Sequence, residues 1–139
     1  MTDGNGQPVL TGEQTFKVGE ATTVMGSAPV GNLSAVFEDD GETGYFYGLD
    51  NSSEKQPILD ALHIYNTQAV SDRHLPSTAQ IVWSSDGQRV ALFINDYPHA
   101  VFDFERRRGY CRTGFPPPAS SFSAEGHEWS DSALEFLQE

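Results

Sequence analysis

Three groups of residues in this 139-residue chain carry types and spacings that could do chemistry. The first is the run Glu38-Asp39-Asp40-Gly41-Glu42, four carboxylates in five positions. Hard cations take several oxygen ligands from such a flexible loop. The alternation of ligands and the terminal glutamate of a calcium loop are missing, so no metal is expected. The run reads instead as the tip of a hairpin, a negative prong able to pair with lysines and arginines of a partner. The second group is the histidines His63, His74, His99 and His127. With no HExxH, HxH or Cys-x-x-Cys, the short-range ligand pair that zinc sites use is absent, and chance scatter is the better reading. Asp60 and His63 stand three apart, neighbours on a helix but on opposite faces of a strand. The third group is Cys111 beside Arg112 and three residues beyond Arg108, where cations would favour the thiolate. Cysteine catalysis would also need a base and an oxyanion site. His99, on the preceding strand, is the candidate base, but the same residues fit a core cysteine on a sheet, the reading favoured here. A small-ligand or enzymatic pocket would gather His63, His99, Tyr110, Cys111 and Arg112. No GxSxG, GxGxxG or GxxxxGK[ST] pattern occurs, so no catalytic residue is named and no cofactor is expected.

Charge narrows the partners. Eight basic and twenty acidic side chains give a formal charge of -12, which repels phosphate backbones and anionic lipid and steers the chain toward a basic protein. Nucleic acid and membrane are therefore not expected as partners. Arg106-Arg107-Arg108 and Arg112, flanked by Phe104, Tyr110 and Phe115, superficially suggest a stacking surface for nucleic acid. Fifteen acidic residues precede that cluster and five follow it, so an internal ion-pair network or a contact with a second copy fits better; the latter would make a homodimer. One cysteine excludes an intrachain disulfide framework, and neither a leader nor a run of about 20 apolar residues is present, so a cytoplasmic protein is expected.

These side chains must be positioned by strands. Ala79–Glu105 holds three apolar runs, Gln80–Trp83, Arg89–Ile94 and Ala100–Phe104, separated by Ser84-Ser85-Asp86-Gly87 and Asn95-Asp96, which predicts an antiparallel meander. Leu33–Glu38 and Tyr45–Leu49 read as a hairpin around the acidic loop. Gln14–Val18, Glu20–Met25 and Tyr110–Thr113 are shorter strand candidates. Pro57–Asn66 fits both periodicities and is read as a helical start giving way to a strand over Leu62–Tyr65. Thr67–Ser77 is a polar loop, Gly114-Phe115-Pro116-Pro117-Pro118 a stiff extended segment, and Asp131–Gln138 a final helix capped by Ser130. The expected architecture is a single α+β domain over 14–139, with a twisted, mainly antiparallel sheet of about six strands, the C-terminal helix packed on it, and a flexible arm over 1–13.

AVFEDDGETGYFYGLD at 35–50, ILDALHIYN at 58–66 and QIVWSSDGQRVALFINDYPHAVFDF running into RRRGYCRTGFPPP at 80–118 resemble an uncharacterised bacterial family of small domains of unknown function. The resemblance implies an association with polymorphic toxins, and so an immunity protein; it supplies no catalytic residues. Residues and resemblance together lead to a non-enzymatic acidic module that binds a basic protein through Glu38, Asp39, Asp40 and Glu42. The alternatives are the small-ligand pocket and a structural homo-oligomer built through Arg106–Arg108.

Overall fold

The computed structural model describes residues 7–55, 57–118 and 121–138. Among the described residues, nine strands form two antiparallel sheets. The five-stranded sheet has the order β1-β6-β7-β8-β9 and the four-stranded sheet the order β2-β3-β4-β5. In chain order they are β1 Val9–Phe16, β2 Thr22–Ser27, β3 Leu33–Asp39, β4 Thr43–Asp50, β5 Ile58–Asn66, β6 Ser77–Trp83, β7 Arg89–Ile94, β8 Tyr97–Asp103 and β9 Arg108–Cys111. The expected single sheet of about six strands is thus corrected to a two-sheet sandwich. Its α+β character and antiparallel pairing stand, because the C-terminal helix is present over Asp131–Gln138, wound as 3-10 turns.

The predicted meander is β6-β7-β8. Its second turn needs two residues at positive φ, and Asn95 (53°) and Asp96 (66°) supply them, the short polar side chains that tolerate that region best. Pro57–Asn66 departs from expectation. Ile58–Asn66 is strand throughout, paired with β4, because Leu62 and Ile64 bury one face in the core and leave no role for a helical stripe. β1 begins inside the stretch expected as an arm: Val9–Phe16 pairs with β6 from Trp83 to Ser77. Residues 1–6 of that stretch lie outside the described residues.

The core fills the space between the sheets. Phe46, Phe102 and Phe104 stack in a row that reaches Trp83, with Phe46 and Phe102 centroids 5.3 Å apart and Trp83 and Phe104 5.7 Å apart. All these side chains are buried, and aromatic groups of this size supply most of the apolar area a small sandwich can hide. The Trp83 indole N–H crosses from one sheet to the other and donates to the Gly26 carbonyl at 3.1 Å. At that corner β1 and β2 approach so closely that a Cβ on Gly12 would lie 2.6 Å from the Met25 carbonyl oxygen. A second, smaller cluster lies on the outer face of the five-stranded sheet. There Phe136, with Ala133, Leu134 and Leu137 beside it, covers Ala91, Val101 and Tyr110.

Candidate functional site

The helix lies on the outer face of the five-stranded sheet, and among the described residues no element covers the corresponding face of the four-stranded sheet. Strand alternation and register build it row by row. Met25 lies opposite Val36, Val36 opposite Tyr47, and Tyr47 opposite Ala61; one step along, Leu49 lies opposite Ile58. Met25 is 60% exposed and Ile58 54%, and Val36, Glu38, Tyr47, Leu49 and Ile58 line a shallow groove of about 280 Å3. The next row, toward the acidic loop, is Thr23, Glu38, Tyr45 and His63. Tyr45 stacks on Tyr47 with centroids 6.0 Å apart and receives His63 edge-on at 5.4 Å. The face is electronegative as well as apolar. Burial, then the charge of Glu38, with Asp40 contributing, holds the Tyr47 phenol above its ordinary pKa.

The four carboxylates of the acidic loop do different things. Asp39 is buried at 1% exposure. Its carboxylate accepts hydrogen bonds from Gly19 N (2.8 Å), Gly41 N (2.8 Å) and the Tyr65 hydroxyl (2.7 Å). It holds the loop from inside and is turned away from any partner, so the prong consists of Glu38, Asp40 and Glu42. Asp40 accepts from the backbone N–H of Glu42 and Thr43, each at 2.9 Å; the Thr43 and Glu42 amides hold its carboxyl below the ordinary carboxylate value. This is a preorganised tip with its charge toward solvent.

The other predicted site residues are not gathered into one cavity among the described residues. Tyr110 points under the C-terminal helix, while its neighbour Cys111 points into the core between the sheets. His63 is on the other sheet, its Nε2 3.0 Å from Asn66 Oδ1. His99 and Arg112 do meet: the Arg112 N–H donates to the His99 carbonyl at 3.2 Å. Arg112 is held over the rings of Trp129 (3.8 Å to the centroid) and Tyr97 (4.7 Å). Burial, then the Arg112 charge, pushes His99 down to about 4, so this imidazole is neutral at pH 7. The basic run is used within the chain. Arg106 approaches Asp103 at 3.9 Å, Arg107 lies over Phe122, and Arg108 lies over Tyr110 and 3.7 Å from Glu125.

One polar cluster escaped the sequence reading. Asp60 on β5, His127 and Ser123 meet at the seam between β5 and β9, where Asp60 Oδ2 lies 2.9 Å from His127 Nε2 and accepts the Ser123 hydroxyl. Ser123 and His127 are 1% and 2% exposed, too enclosed to meet a substrate. The serine contacts the aspartate and not the imidazole, so the trio lacks the base-to-nucleophile contact of a hydrolase. Its sequence signal is weak: 67 residues separate Asp60 from His127.

No group of His, Cys, Asp and Glu among the described residues is placed to hold a metal ion, and no described helix is long and apolar enough to cross a membrane. An uncharacterised protein of Haemophilus influenzae (strain Rd) is 48% identical over 87 residues, which cover 63% of this chain and 54% of that protein. The chain therefore spans about half the length of this curated relative. No solved structure matches the chain. A family model described as an uncharacterised protein conserved in bacteria, DUF2251, matches residues 16–138, and the chain belongs to that family.

Proposed function

We propose that this protein is a non-enzymatic binding module that docks a basic protein on the open face of its four-stranded sheet. The observation that carries the reading is the composition of that face: an apolar and aromatic centre of Met25, Val36, Tyr47, Leu49 and Ile58, with Glu38 inside it and, at one end, the Asp40 carboxylate fixed by two backbone N–H groups and the exposed Glu42 beside it. Apolar centre and charged rim are the anatomy of a protein interface, and the charge of -12 selects a partner of opposite sign. A second copy of the chain is a poor occupant, since Glu38 would face the same field of negative charge. A toxin antidote is the specific form of this reading, in which the acidic face covers the basic active site of a toxin; the acidity supports it. The small-ligand reading is the weaker one, because its residues are spread over two sheets and both faces of one of them.

The test is capture of a partner from the native organism, its purification, and titration against three proteins: wild type, Met25→Asp with Ile58→Asp, and Glu38→Gln with Asp40→Asn and Glu42→Gln. The apolar pair of changes is expected to weaken binding at least tenfold mainly through faster dissociation. The neutralised rim should slow association and flatten its salt dependence. A partner indifferent to both sets, or a chain that captures no partner, overturns the reading.

A further inference from the structure

Asp60 Oδ2 and His127 Nε2 meet at 2.9 Å across the seam between β5 and the segment after β9. Every group around the pair has a fixed donor or acceptor role. Gly109 N donates to Ser123 Oγ, so the serine hydroxyl donates onward to Asp60 Oδ2. Ala61 N donates to Asp60 Oδ1 at 2.9 Å. Both Asp60 oxygens are thus acceptors, Oδ1 from Ala61 N and Oδ2 from the Ser123 hydroxyl. His127 Nδ1 faces the Pro116 carbonyl, which can only accept, and Nε2 faces Asp60 Oδ2. Both ring nitrogens must donate, and an imidazole with two donors is the imidazolium.

The charged and titratable groups around it are Asp60 from β5 and Arg108 from β9, with Glu125 as the salt-bridge partner of Arg108. Cys111 contributes its backbone N–H to the His127 carbonyl at 3.0 Å. Burial pushes the His127 imidazole down; the Asp60 carboxylate, with the Pro116 carbonyl, outweighs burial and Arg108 together, so its pKa stands above the ordinary value. A group whose folded pKa is raised contributes stability that is full below the unfolded pKa and lost as pH rises through the folded one.

Beside this contact, further bonds hold the segment that follows β9. Thr113 Oγ1 donates to the His63 carbonyl at 2.7 Å, His63 N donates to the Phe115 carbonyl at 2.8 Å, and Cys111 Sγ donates to the same carbonyl at 3.4 Å. These bonds join β5 to the chain leaving β9 and cover the thiol. We infer that protonated His127, bound between Asp60 and Pro116, latches the β5–β9 seam, and that its deprotonation opens the seam locally and uncovers Cys111. When neutral with its proton on Nδ1, the ring keeps Pro116 but turns a lone pair toward Asp60 Oδ2, replacing an ion pair with repulsion.

Cys111 is the chain's one cysteine and is buried, so alkylation reads the opening directly. The full-length protein is treated with iodoacetamide from pH 6 to 9. Each rate is divided by that of the same protein unfolded in urea at the same pH, which cancels the thiol's own titration. Protection should be flat at the acid end and then fall with pH, by as much as about tenfold per unit for release of one proton per opening. In His127→Gln, protection should be lower at pH 6 and independent of pH. In Asp60→Asn, His127 loses its counter-charge and the pH-dependent fall should leave the alkaline range. Nitrogen-15 resonances of the His127 ring in wild type provide a readout that needs no variant and are expected to show both nitrogens protonated at pH 6. A neutral His127 at pH 6, wild-type protection that stays flat to pH 9, or the same slope in His127→Gln would each overturn the latch.

Discussion

The Tyr65 hydroxyl donates a 2.7 Å hydrogen bond to Asp39 Oδ2, and through that carboxylate the β5 edge is tied to both the Gly19 turn and the acidic loop. Tyr65 also lies flat against Gly44, where a Cβ would come within 2.7 Å of its ring, so the phenol has little room to turn away. Its pKa is raised by burial and by the Asp39 carboxylate. Removing the hydroxyl in Tyr65→Phe should cost about 1 kcal/mol in urea unfolding, the worth of one hydrogen bond, with more if the carboxylate is left short of a donor. Asp39→Asn should cost about 1–3 kcal/mol, because the new amide turns a donor toward the N–H of Gly19 or Gly41. The two changes should couple in a double-mutant cycle by at least 0.5 kcal/mol, as groups in one network do. Strict additivity would mean that the bond contributes nothing.

The corner between β1 and β2 makes a second prediction. Gly12 has the Met25 carbonyl oxygen 2.6 Å from where its Cβ would stand, and Gly26 has Thr11 Oγ1 at 2.5 Å and Ile81 Cγ2 at 2.7 Å. The Gly12 obstacle is backbone, and behind Thr11 the Gly26 obstacle is Ile81, a β-branched side chain in the core with no room to swing aside. Gly12→Ala and Gly26→Ala should each destabilise by about 1–3 kcal/mol, the cost of overpacking. Gly114→Ala offers a contrast: nothing lies within 4 Å of its Cβ position and its φ is +71°. Its cost should come from the left-handed backbone alone, about 1–2 kcal/mol. Equal unfolding midpoints for Gly12→Ala and wild type would show that the sheets can part at this corner.

How far these features could be read in the sequence depends on the distance over which each is encoded. The β6-β7-β8 meander was legible because alternation and turn chemistry lie within a few residues: Asn95-Asp96 declares its turn, and Ile81, Trp83, Val90 and Leu92 alternate onto the core face. The second sheet was not legible, since a strand with one buried face shows the same alternation whether a sheet or a helix covers it. Only the end of β1, Gln14–Phe16, fell within the strand candidate Gln14–Val18; its first half was hidden by its composition, with Gly12 and the exposed Leu10 and Glu13 inside it. β5 stayed ambiguous because Ile58, Leu62 and Ile64 satisfy strand spacing while Ile58, Leu62 and Tyr65 satisfy helical spacing. In the acidic run a local signal was present: Asp39 follows Phe37 by two residues and shares its buried face, whereas Glu38 and Asp40 fall on the other. The Asp60–His127 contact had no local signal, because its bond is made by tertiary packing.

His99 sets a pH dependence of the opposite sign to that of His127. Burial and Arg112 hold it near 4 in the fold, against about 6.5 in the unfolded chain. Between those values the unfolded chain binds the proton that the folded chain refuses. Stability is therefore full above about pH 6.5 and falls as pH drops toward 4. His99→Gln should lose less stability than wild type between pH 7 and pH 4.5, measured by urea unfolding at both. In Arg112→Gln, the His99 pKa followed by NMR should rise, because one of its two depressing causes is gone. A His99 that titrates near 6.5 in wild type would mean that the imidazole is solvated.

The open face should separate folding from binding. Met25 and Ile58 are 60% and 54% exposed, so Met25→Ser and Ile58→Ser remove little buried area and should leave stability within about 0.5 kcal/mol of wild type. Phe46 lies on the opposite face of the same sheet at 0% exposure, stacked on Phe102. Phe46→Ala should cost about 3–5 kcal/mol. For partner affinity the order reverses: the two surface changes should weaken binding, while any effect of Phe46→Ala should disappear once its unfolded fraction is corrected for. Urea melts and titrations on the same three proteins give both orders. If Met25→Ser and Ile58→Ser were to destabilise as strongly as Phe46→Ala, their side chains would be serving the fold, and the face would not be a surface held open for another protein.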